Sequence, residues 1–581
     1  MLDSVDRTTE ERLRERIDPD SLDAHVEAFE GTIRESGTDD ERAASEYVVD
    51  RLTEYGFDAE VREFDAYISF PEGASVTVTT PTRRLVDGIT ASFGASTPPN
   101  GVHGEVVHLP EVTADAVADA DVEGRIVFTT GLPTPHPVGL LDDAGARAVV
   151  YESVTEGHCH EMIVTPVWGT PSLEDYETIP DLPVAQVSRE DGEWLREQCA
   201  TGPVEARVAT AVRTELTTLP CPVGRLDGAV SDRYAVVGNH VDSWHEGITD
   251  NATAMAATLE LARIVAEADD PPARGLVVGF WPAHSTGRYA GSAWYADDNW
   301  LDLRANGVAY YHLDLCGLRG ADGIWHQEMA ELAAEHRDVI DSATDIPLRE
   351  GDESFLGSDR PGRNSDQSFW GTGLSSLLSG ARLPPGTDEG GPIGGGWWWH
   401  TPEDTRDKVD IDVLVEETRI AVTLLARLCW SPTLPHDFSA AADDLRSQVE
   451  RVETATDHSF EALHADLDAL ASAVERAQAV AAAVEDPASE RARAVEDLQV
   501  ALGNDLVPAL YVGGDDYGQD PALPHQLLPA LNEAATAHVD AGRHRERRFA
   551  ETSLTRAENR LRHRITRATA AVDAFLADVE E

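Results

Sequence analysis

The chain has 581 residues, 41% of them hydrophobic, and its 106 acidic and 46 basic residues give a formal net charge of -60. This length predicts more than one hydrophobic core, and no apolar run approaches the roughly 20 residues that a membrane-spanning helix needs. Such a charge repels nucleic acid and anionic membranes, so neither is expected as a partner.

The acidic residues are spread over every segment and alternate with apolar residues, instead of forming one acidic tail. Concentrated salt screens their mutual repulsion, because the Debye length shortens to about 3 Å at 1 M. The composition therefore predicts a halophilic protein in a salt-rich compartment. The N-terminus is charged and has no apolar stretch or cleavage site, which favours a cytoplasmic location.

The N-terminal segment, residues 1–84, predicts helices followed by strands. Apolar side chains recur at helical spacing before Gly56, which ends the clearest helix, and alternating strands follow over 58–68 and 74–80. We expect this segment to pack onto the domain formed by residues 216–435.

Residues 85–215 differ from their surroundings, because short valine-rich strands such as GEVVHLP and ARAVVYES alternate with Gly and Pro. They predict a small β-rich domain inserted into the chain, with no catalytic cluster. His158 and His160 flank Cys159 in a loop, and we expect them at the surface. The five cysteines form no CxxC pair and suggest neither disulfides nor a thiolate zinc site.

Residues 216–435 alternate continuous apolar strands, YAVVGNHVD, GLVVGFW and GVAYYHLDL, with helices. This α/β pattern predicts a mostly parallel sheet flanked by helices. Ligands of such sheets collect at the carboxyl ends of the strands. His240, the segment after Trp281 and Asp314 all lie at such ends, so we expect them to share one site.

The remaining residues, 436–581, are rich in Ala, Glu and Arg and predict a C-terminal helical domain without chemistry. Before it, the glycine-rich loop 384–396 leads into three tryptophans and His400. This loop is not a phosphate-binding loop, because no GK[ST] follows and no helix begins there.

The stretch 236–251, VVGNHVDSWHEGITDN, has the pattern of a metal site. His240 and Asp242 lie two residues apart on a strand and face the same side, where one binds metal and the other orients it. Asp250 follows where a loop enters a helix. Histidine and carboxylate ligands without thiolate suit Zn²⁺ or a neighbouring transition metal in a hydrolytic site.

The order of these motifs resembles the co-catalytic di-zinc metallopeptidases, a family that includes aminopeptidases, glutamate carboxypeptidase and the transferrin receptor ectodomain. Residues 85–215 resemble the protease-associated domain of its glutamate carboxypeptidase branch. The resemblance implies two divalent ions, expected to be Zn²⁺, a small peptide or amide substrate, and a homodimer joined partly through the helical domain. The ligands that it implies are His240, Asp250, Asp314 and His400, with Asp250 bridging both ions and Asp242 orienting His240.

The chain departs from the family after the strand GLVVGFW, where the family has a Glu-Glu pair that supplies the general base and a ligand. Here His284 and Ser285 follow, and one extra residue before Gly291 lets His284 align with either glutamate. We favour a ligand role for His284, because imidazole replaces carboxylate on such a metal more readily than serine does. The base role remains open for His284 and also for His245, Glu246 and His312, although His312 equally suits a neighbour that orients Asp314.

Four residues, Arg363, Asn364, Ser365 and Asp366, lie where the family places substrate-facing side chains, and Arg382 could meet a substrate carboxylate. The tryptophans 397–399 either wall a substrate pocket or pack in the core. The sequence thus predicts a two-metal peptidase-like hydrolase of the aminopeptidase or carboxypeptidase type. The alternative is a non-catalytic binding or assembly protein on the same scaffold, like the transferrin receptor, which the missing Glu-Glu pair favours.

Overall fold

Two long strands, β1 (Asp58–Thr80) and β7 (Val204–Leu226), pair antiparallel along most of their length and connect two sheets. The computed structural model describes residues 7–349, 360–384, 386–456, 458–542 and 544–580, so the first six residues of the predicted N-terminal segment lie outside it. At one end of this ribbon β7 joins the large sheet, and at the other end both strands join the sheet of the inserted region. The insertion is therefore continuous with the large sheet through hydrogen-bonded strands.

Among residues 7–57, three helices precede the ribbon: α1 (Arg7–Arg14), α2 (Pro19–Phe29) and α3 (Asp39–Tyr55). The Thr38 side chain caps α3 by accepting a hydrogen bond from the Glu41 N–H, and Gly56 ends it at φ 95°. Both end positions carry the residue types that such caps favour. The helices pack their apolar faces on the large sheet, as the sequence predicts.

The inserted region contains five strands, β2 (Arg84–Ile89), β3 (Val102–His108), β4 (Ile126–Thr130), β5 (Ala148–Glu152) and β6 (Val184–Val187). The strands β3 to β6 run parallel to their neighbours in the order β6-β5-β4-β3. The helices α4 (Ala114–Asp119), α5 (Pro135–Asp143) and α6 (Arg189–Thr201) accompany them, and apolar clusters form on both faces. The insertion has its own core, while its identity as a protease-associated domain stays a prediction.

The large sheet contains β8 (Tyr234–His240), β9 (Gly275–Trp281), β10 (Gly307–His312), β11 (Gly323–Glu328) and β12 (Ser375–Arg382). Its order is β7-β9-β8-β10-β12-β11, in which β9, β8, β10 and β12 are parallel and the two outer strands are antiparallel. Every residue of β8, β9 and β10 is buried. The predicted mostly parallel α/β sheet is confirmed.

Helices cover this sheet: α7 (Thr253–Ala266), α8 (His284–Gly287), α9 (Ala290–Asp298), α10 (Trp300–Asn306), α11 (Ala330–Ala343) and α12 (Ile411–Trp430). Five further helices form the C-terminal region: α13 (Phe438–Thr456), α14 (Glu461–Ala481), α15 (Glu490–Tyr511), α16 (Pro529–Asp540) and α17 (His544–Glu580). The predicted helical region is confirmed, with its own apolar core. No described helix combines the length and hydropathy needed to cross a membrane.

Candidate metal centre

The strand β8 ends in the middle of the large sheet, and His240 is its last residue. The strand β8 lies between β9 and β10 in the sheet, and the His240 side chain is only 1% exposed. Its Nε2 lies 2.9 Å from Asp250 Oδ1 and 3.6 Å from Asp314 Oδ1. The structure therefore brings three of the four predicted ligands to one point at the carboxyl ends of the strands.

The fourth predicted ligand, His400, approaches Asp250 from the other side, with its Nε2 3.1 Å from Asp250 Oδ2. Its Nδ1 donates a hydrogen bond to the Glu161 carbonyl at 2.6 Å, which leaves Nε2 to present a lone pair. Asp250 thus lies between two imidazoles, one at each carboxylate oxygen.

The tryptophans beside His400 answer the question that the sequence left open. The ring of Trp399 stacks on His400 at 3.6 Å between centroids, and Trp398 donates from Nε1 to Thr249 Oγ1. Both side chains are buried, so these two tryptophans pack and position the histidine. Trp397 is only partly buried and stacks on His158 of the inserted region.

Asp242 orients His240, but with its main chain. The His240 Nδ1 lies 2.8 Å from the Asp242 carbonyl oxygen and 3.7 Å from the nearer carboxylate oxygen. The Asp242 carboxylate instead accepts hydrogen bonds from the backbone N–H groups of His284 and Ser285, at 3.1 and 2.9 Å. Asp242 therefore connects the ends of β8 and β9.

His284 lies inside this cluster, with its ring stacked on that of His240 at 3.9 Å between centroids. One ligand atom from each of His240, His284 and Asp314 lies within 4.8 Å of the others. The His284 Nδ1 donates to Asp366 Oδ2 at 2.6 Å. Because Asp366 is fully buried and its other oxygen accepts from Ser292, it holds His284 and cannot face substrate as the sequence suggested.

Two buried residues that the sequence reasoning missed hold the loop around Asp250. The Asp404 carboxylate accepts from the N–H groups of Thr249 and Asp250, and burial raises the pKa of Asp404 to about 7. The Arg34 guanidinium donates to the carbonyls of Glu246 and Gly247. Asp404 lies four residues after His400 in HTPED, which is the only hint in the sequence, whereas nothing local marks Arg34.

The three alternative base candidates differ in position. The side chain of Glu246 accepts from the Gly31 N–H, which turns it away from the cluster, so the structure argues against a base role for it. His245 is 33% exposed, and burial lowers its pKa. His312 Nδ1 lies 2.9 Å from the Tyr310 hydroxyl, and its buried Nε2 lies 3.6 Å from Asp314 Oδ2 without a hydrogen-bond partner. His312 is therefore a close neighbour of Asp314, and its role in orienting that carboxylate stays a prediction.

Neither arginine proposed for substrate is available. Arg382 is 3% exposed and donates to the carbonyls of Asp314 and Leu315, so it positions a candidate ligand loop. Arg363 stacks on Trp168 at 3.8 Å and donates to the Asp520 and Gln367 carbonyls.

The other two candidates of that segment differ in position, because only Ser365 contacts a candidate ligand, whereas none of the candidate ligands lines the cavity beside Asn364. Asn364 lines a cavity of about 870 Å³, and Ser365 Oγ lies 3.4 Å from Asp314 Oδ2. These two residues are the ones from the segment that stay candidates for contact with substrate.

The inserted region, for which the sequence predicts no catalytic cluster, contacts the segment that carries His400. His160 is buried and its Nδ1 hydrogen-bonds to the Trp399 carbonyl at 2.6 Å, so the expectation that it lies at the surface is wrong. The next residue, Glu161, donates from its N–H to the His400 carbonyl at 3.0 Å. Residues 160 and 161 therefore hold the segment that ends in His400.

The donor set fits a divalent cation. Among the described residues, imidazoles and carboxylates lie together without a thiolate, a donor set that suits such an ion. No Lys or Arg in this part of the chain forms an ion pair with Asp250 or Asp314. Asp314 Oδ1 is buried without a hydrogen-bond partner. Such an unpaired carboxylate oxygen is costly unless a cation satisfies it.

Together, the sheet and the cluster define a class of α/β protein that gathers histidine and carboxylate side chains at the carboxyl edge of a mostly parallel sheet. Residues 223–425 match the model of peptidase family M28, so this part of the chain is similar to that family.

Two curated relatives cover part of the chain. A Mycobacterium tuberculosis protein named "Probable lipoprotein aminopeptidase LpqL" is 28% identical over 315 residues, which cover 52% of this chain and 59% of the relative. A Zea mays protein named "Probable glutamate carboxypeptidase VP8" is 23% identical over 361 residues, 52% of this chain and 50% of its own length. The chain thus spans between half and three fifths of these relatives.

Solved structures share the fold. The aminopeptidase from Aneurinibacillus sp. strain AM-1 superposes with a TM-score of 0.56 at 19% identity, covering 73% of this chain and 96% of its own. The zinc aminopeptidase BSAP of Bacillus subtilis gives 0.53 at 20% identity, covering 71% and 94%. At these identities the likeness defines the fold alone.

Proposed function

We propose that this protein is a metal-dependent peptidase that cleaves small peptides or related amides. The observation that carries the proposal is the position of Asp250 between His240 and His400, with Asp314 beside His240. These four side chains come from separate segments of the family M28 domain and meet without a cationic side chain among the described residues. The relatives named as aminopeptidases and carboxypeptidases support the same activity.

The finer proposal concerns the ions. Two divalent ions of the Zn²⁺ type would be held here: His240, Asp314 and His284 are the candidate ligands of one, His400 is the candidate ligand of the other, and Asp250 is available to both. When bound, such ions polarise a carbonyl oxygen and lower the pKa of a water molecule. The second position has fewer protein ligands than the first, so we expect it to bind its ion more weakly.

The protein's own contribution is orientation. Backbone carbonyls receive the Nδ1 protons of His240 and His400, and Asp366 receives that of His284. In the neutral imidazole, each of these bonds would direct the Nε2 lone pair into the site. With His284 used in this way, we place the proton acceptor at His245, which lies in the loop between Asp242 and Asp250 and whose pKa is lowered by burial.

The test uses protein purified in high salt. Metal content is measured together with hydrolysis of a panel of aminoacyl amides and acidic dipeptides. Absence of both bound metal and hydrolysis would overturn the proposal. Bound metal without hydrolysis would instead support the non-catalytic binding protein that the missing Glu-Glu pair suggests.

The assignment of His284 has its own test, in which His284→Ala must reduce the metal stoichiometry. His158→Ala is a suitable control, because it changes a histidine that stacks on Trp397 without a contact to the carboxylates. An unchanged metal content in His284→Ala would show that His284 is not a ligand.

Assembly and environment complete the proposal: a homodimer joined partly through α13 to α17, working in a salt-rich cytoplasm. The net charge of -60 supports the salt requirement. Sedimentation and thermal unfolding over a range of KCl concentrations test both parts. A monomer at all concentrations contradicts the dimer, and an unfolding midpoint that does not rise with salt contradicts the halophilic character.

A further inference from the structure

Glu161 is fixed at the edge of the candidate centre by main-chain bonds. Its N–H donates to the His400 carbonyl at 3.0 Å, and its own carbonyl accepts from His400 Nδ1 at 2.6 Å. The side chain of Glu161 is therefore held next to a candidate ligand and takes no part in either bond. It belongs to the inserted region, outside the matched domain of residues 223–425.

The Glu161 carboxylate has no counter-charge of its own. Its Oε1 lies 3.7 Å from His245 Nε2, beyond hydrogen-bond distance, and its Oε2 is buried without a partner. No Lys or Arg within the described ranges forms an ion pair with it, and the nearby Glu35 adds a charge of the same sign. Because 14% of the side chain is exposed, a small cation can reach the carboxylate from solvent.

Desolvating a carboxylate without a cation is costly, so such an arrangement is favourable only where a ligand supplies the charge. The large negative charge of the protein also favours a cationic ligand over an anionic one. A peptide with a free N-terminus carries such a cation beside the bond that an aminopeptidase cleaves. The main-chain bonds to His400 place Glu161 next to a candidate metal ligand, with its carboxylate oxygen 3.7 Å from His245 Nε2.

We propose that Glu161 binds the α-ammonium group of the substrate and so selects peptides with a free N-terminus. This inference rests on the proposed peptidase function and names its substrate class. It makes the inserted region a part of the substrate site, with Glu161 as the residue that sets specificity at the amino end.

Glu161→Gln tests this assignment with little structural disturbance, because both bonds to His400 use main-chain atoms. Binding of leucinamide and of N-acetylleucinamide to the metal-loaded protein is measured by titration calorimetry. We expect the variant to bind leucinamide about 10- to 100-fold more weakly, the range of a charge-assisted hydrogen bond. Binding of the uncharged N-acetylleucinamide should not change.

The matched control is Glu35→Gln, which removes a neighbouring half-buried carboxylate and should leave leucinamide binding within about threefold, since solvent and salt screen a charge that is only partly buried. Metal content must remain that of the wild type in both variants. Equal leucinamide binding by wild type and Glu161→Gln, or equal loss for both amides, would overturn the inference.

Hydrolysis separates this inference from the proposed function. Leucine p-nitroanilide and its N-acetyl derivative are compared at saturating metal, and Glu161→Gln is expected to raise KM for the free amine while kcat changes little. Wild-type protein that binds leucinamide selectively but hydrolyses neither compound would contradict the peptidase function and leave the ammonium site standing. Hydrolysis of both compounds with equal kcat/KM would contradict the ammonium site alone.

Discussion

The two sheets joined by the β1–β7 ribbon treat buried acidic residues in opposite ways. In the inserted sheet, Glu152 ends β5, is buried, and forms an ion pair with Arg196 of α6. In the large sheet, Asp250 and Asp314 also follow parallel strands, but the basic side chains that lie beside them are histidines. The fold therefore pairs Glu152 with a permanently charged arginine, whereas Asp250 and Asp314 have no such partner among the described residues.

The difference shows how to separate a structural acid from a ligand. A guanidinium is always charged, and Arg196 neutralises Glu152 through Oε1 without an external ion, although Oε2 has no hydrogen-bond partner. An imidazole fixed at Nδ1 keeps a lone pair on Nε2, and a metal ion can then sit between that nitrogen and the carboxylate. Burial alone does not distinguish Glu152 from Asp250, whereas the partner does.

The largest effect is expected when the large sheet loses its central carboxylate. Asp250→Asn removes the contact shared by His240 and His400, so we expect loss of bound metal and a fall of about 10³-fold in kcat/KM. Metal analysis measures the bound metal, and kcat/KM is measured with a peptide amide that the wild-type protein cleaves. Circular dichroism is the control for folding. Metal content and activity close to wild type would contradict the proposed bridging role.

A smaller effect is expected from Asp366→Asn. The amide cannot accept the His284 Nδ1 proton as a carboxylate does, and loss of such an orienting partner commonly lowers metal affinity or activity 10- to 100-fold. Chelator competition measures the affinity. Ser292→Ala, which removes the other hydrogen bond of Asp366, should have a weaker effect, and an equal effect would indicate that Asp366 acts only in packing.

A substitution in the inserted sheet should lower the free energy of unfolding and leave the metal content unchanged. Arg196→Met leaves Glu152 buried without its cation, and we expect a loss of about 1–2 kcal/mol in unfolding free energy, a reduced value because Arg196 is partly exposed. Denaturant titration in high salt measures it. The double variant with Glu152→Gln should recover most of the loss, and a decrease in bound metal would contradict the comparison.

The smallest effect is expected for Glu246→Gln. Its side chain accepts from Gly31 N–H at an exposed position, so activity should stay within about twofold and stability within about 0.5 kcal/mol. His245→Ala is the informative partner, because it removes the proposed proton acceptor and should lower kcat about 10²-fold or more. A large loss of kcat in Glu246→Gln would show that Glu246 takes part in catalysis.

The sequence by itself determined the parallel strands, the C-terminal helices and the positions of His240 and Asp314 at strand ends, whereas Asp250 and His400 were predicted as ligands from the family resemblance. The strand positions depend on local properties: apolar runs predict buried strands, and the carboxyl ends of parallel strands share one edge. The sequence also pointed to His284, because it lies where the family has the Glu-Glu pair. Alignment alone could not decide whether His284 is a metal ligand or the general base.

Only the tertiary structure decided which side chains surround those positions. Glu161 and Asp366 meet His400 and His284 across more than 80 residues of chain or from another domain, and no periodicity encodes such a meeting. The same holds for Arg382, whose charge suggested a substrate partner although the fold directs it to backbone carbonyls. Local sequence fixes where a strand ends, while packing between distant segments decides which charges are left without a partner.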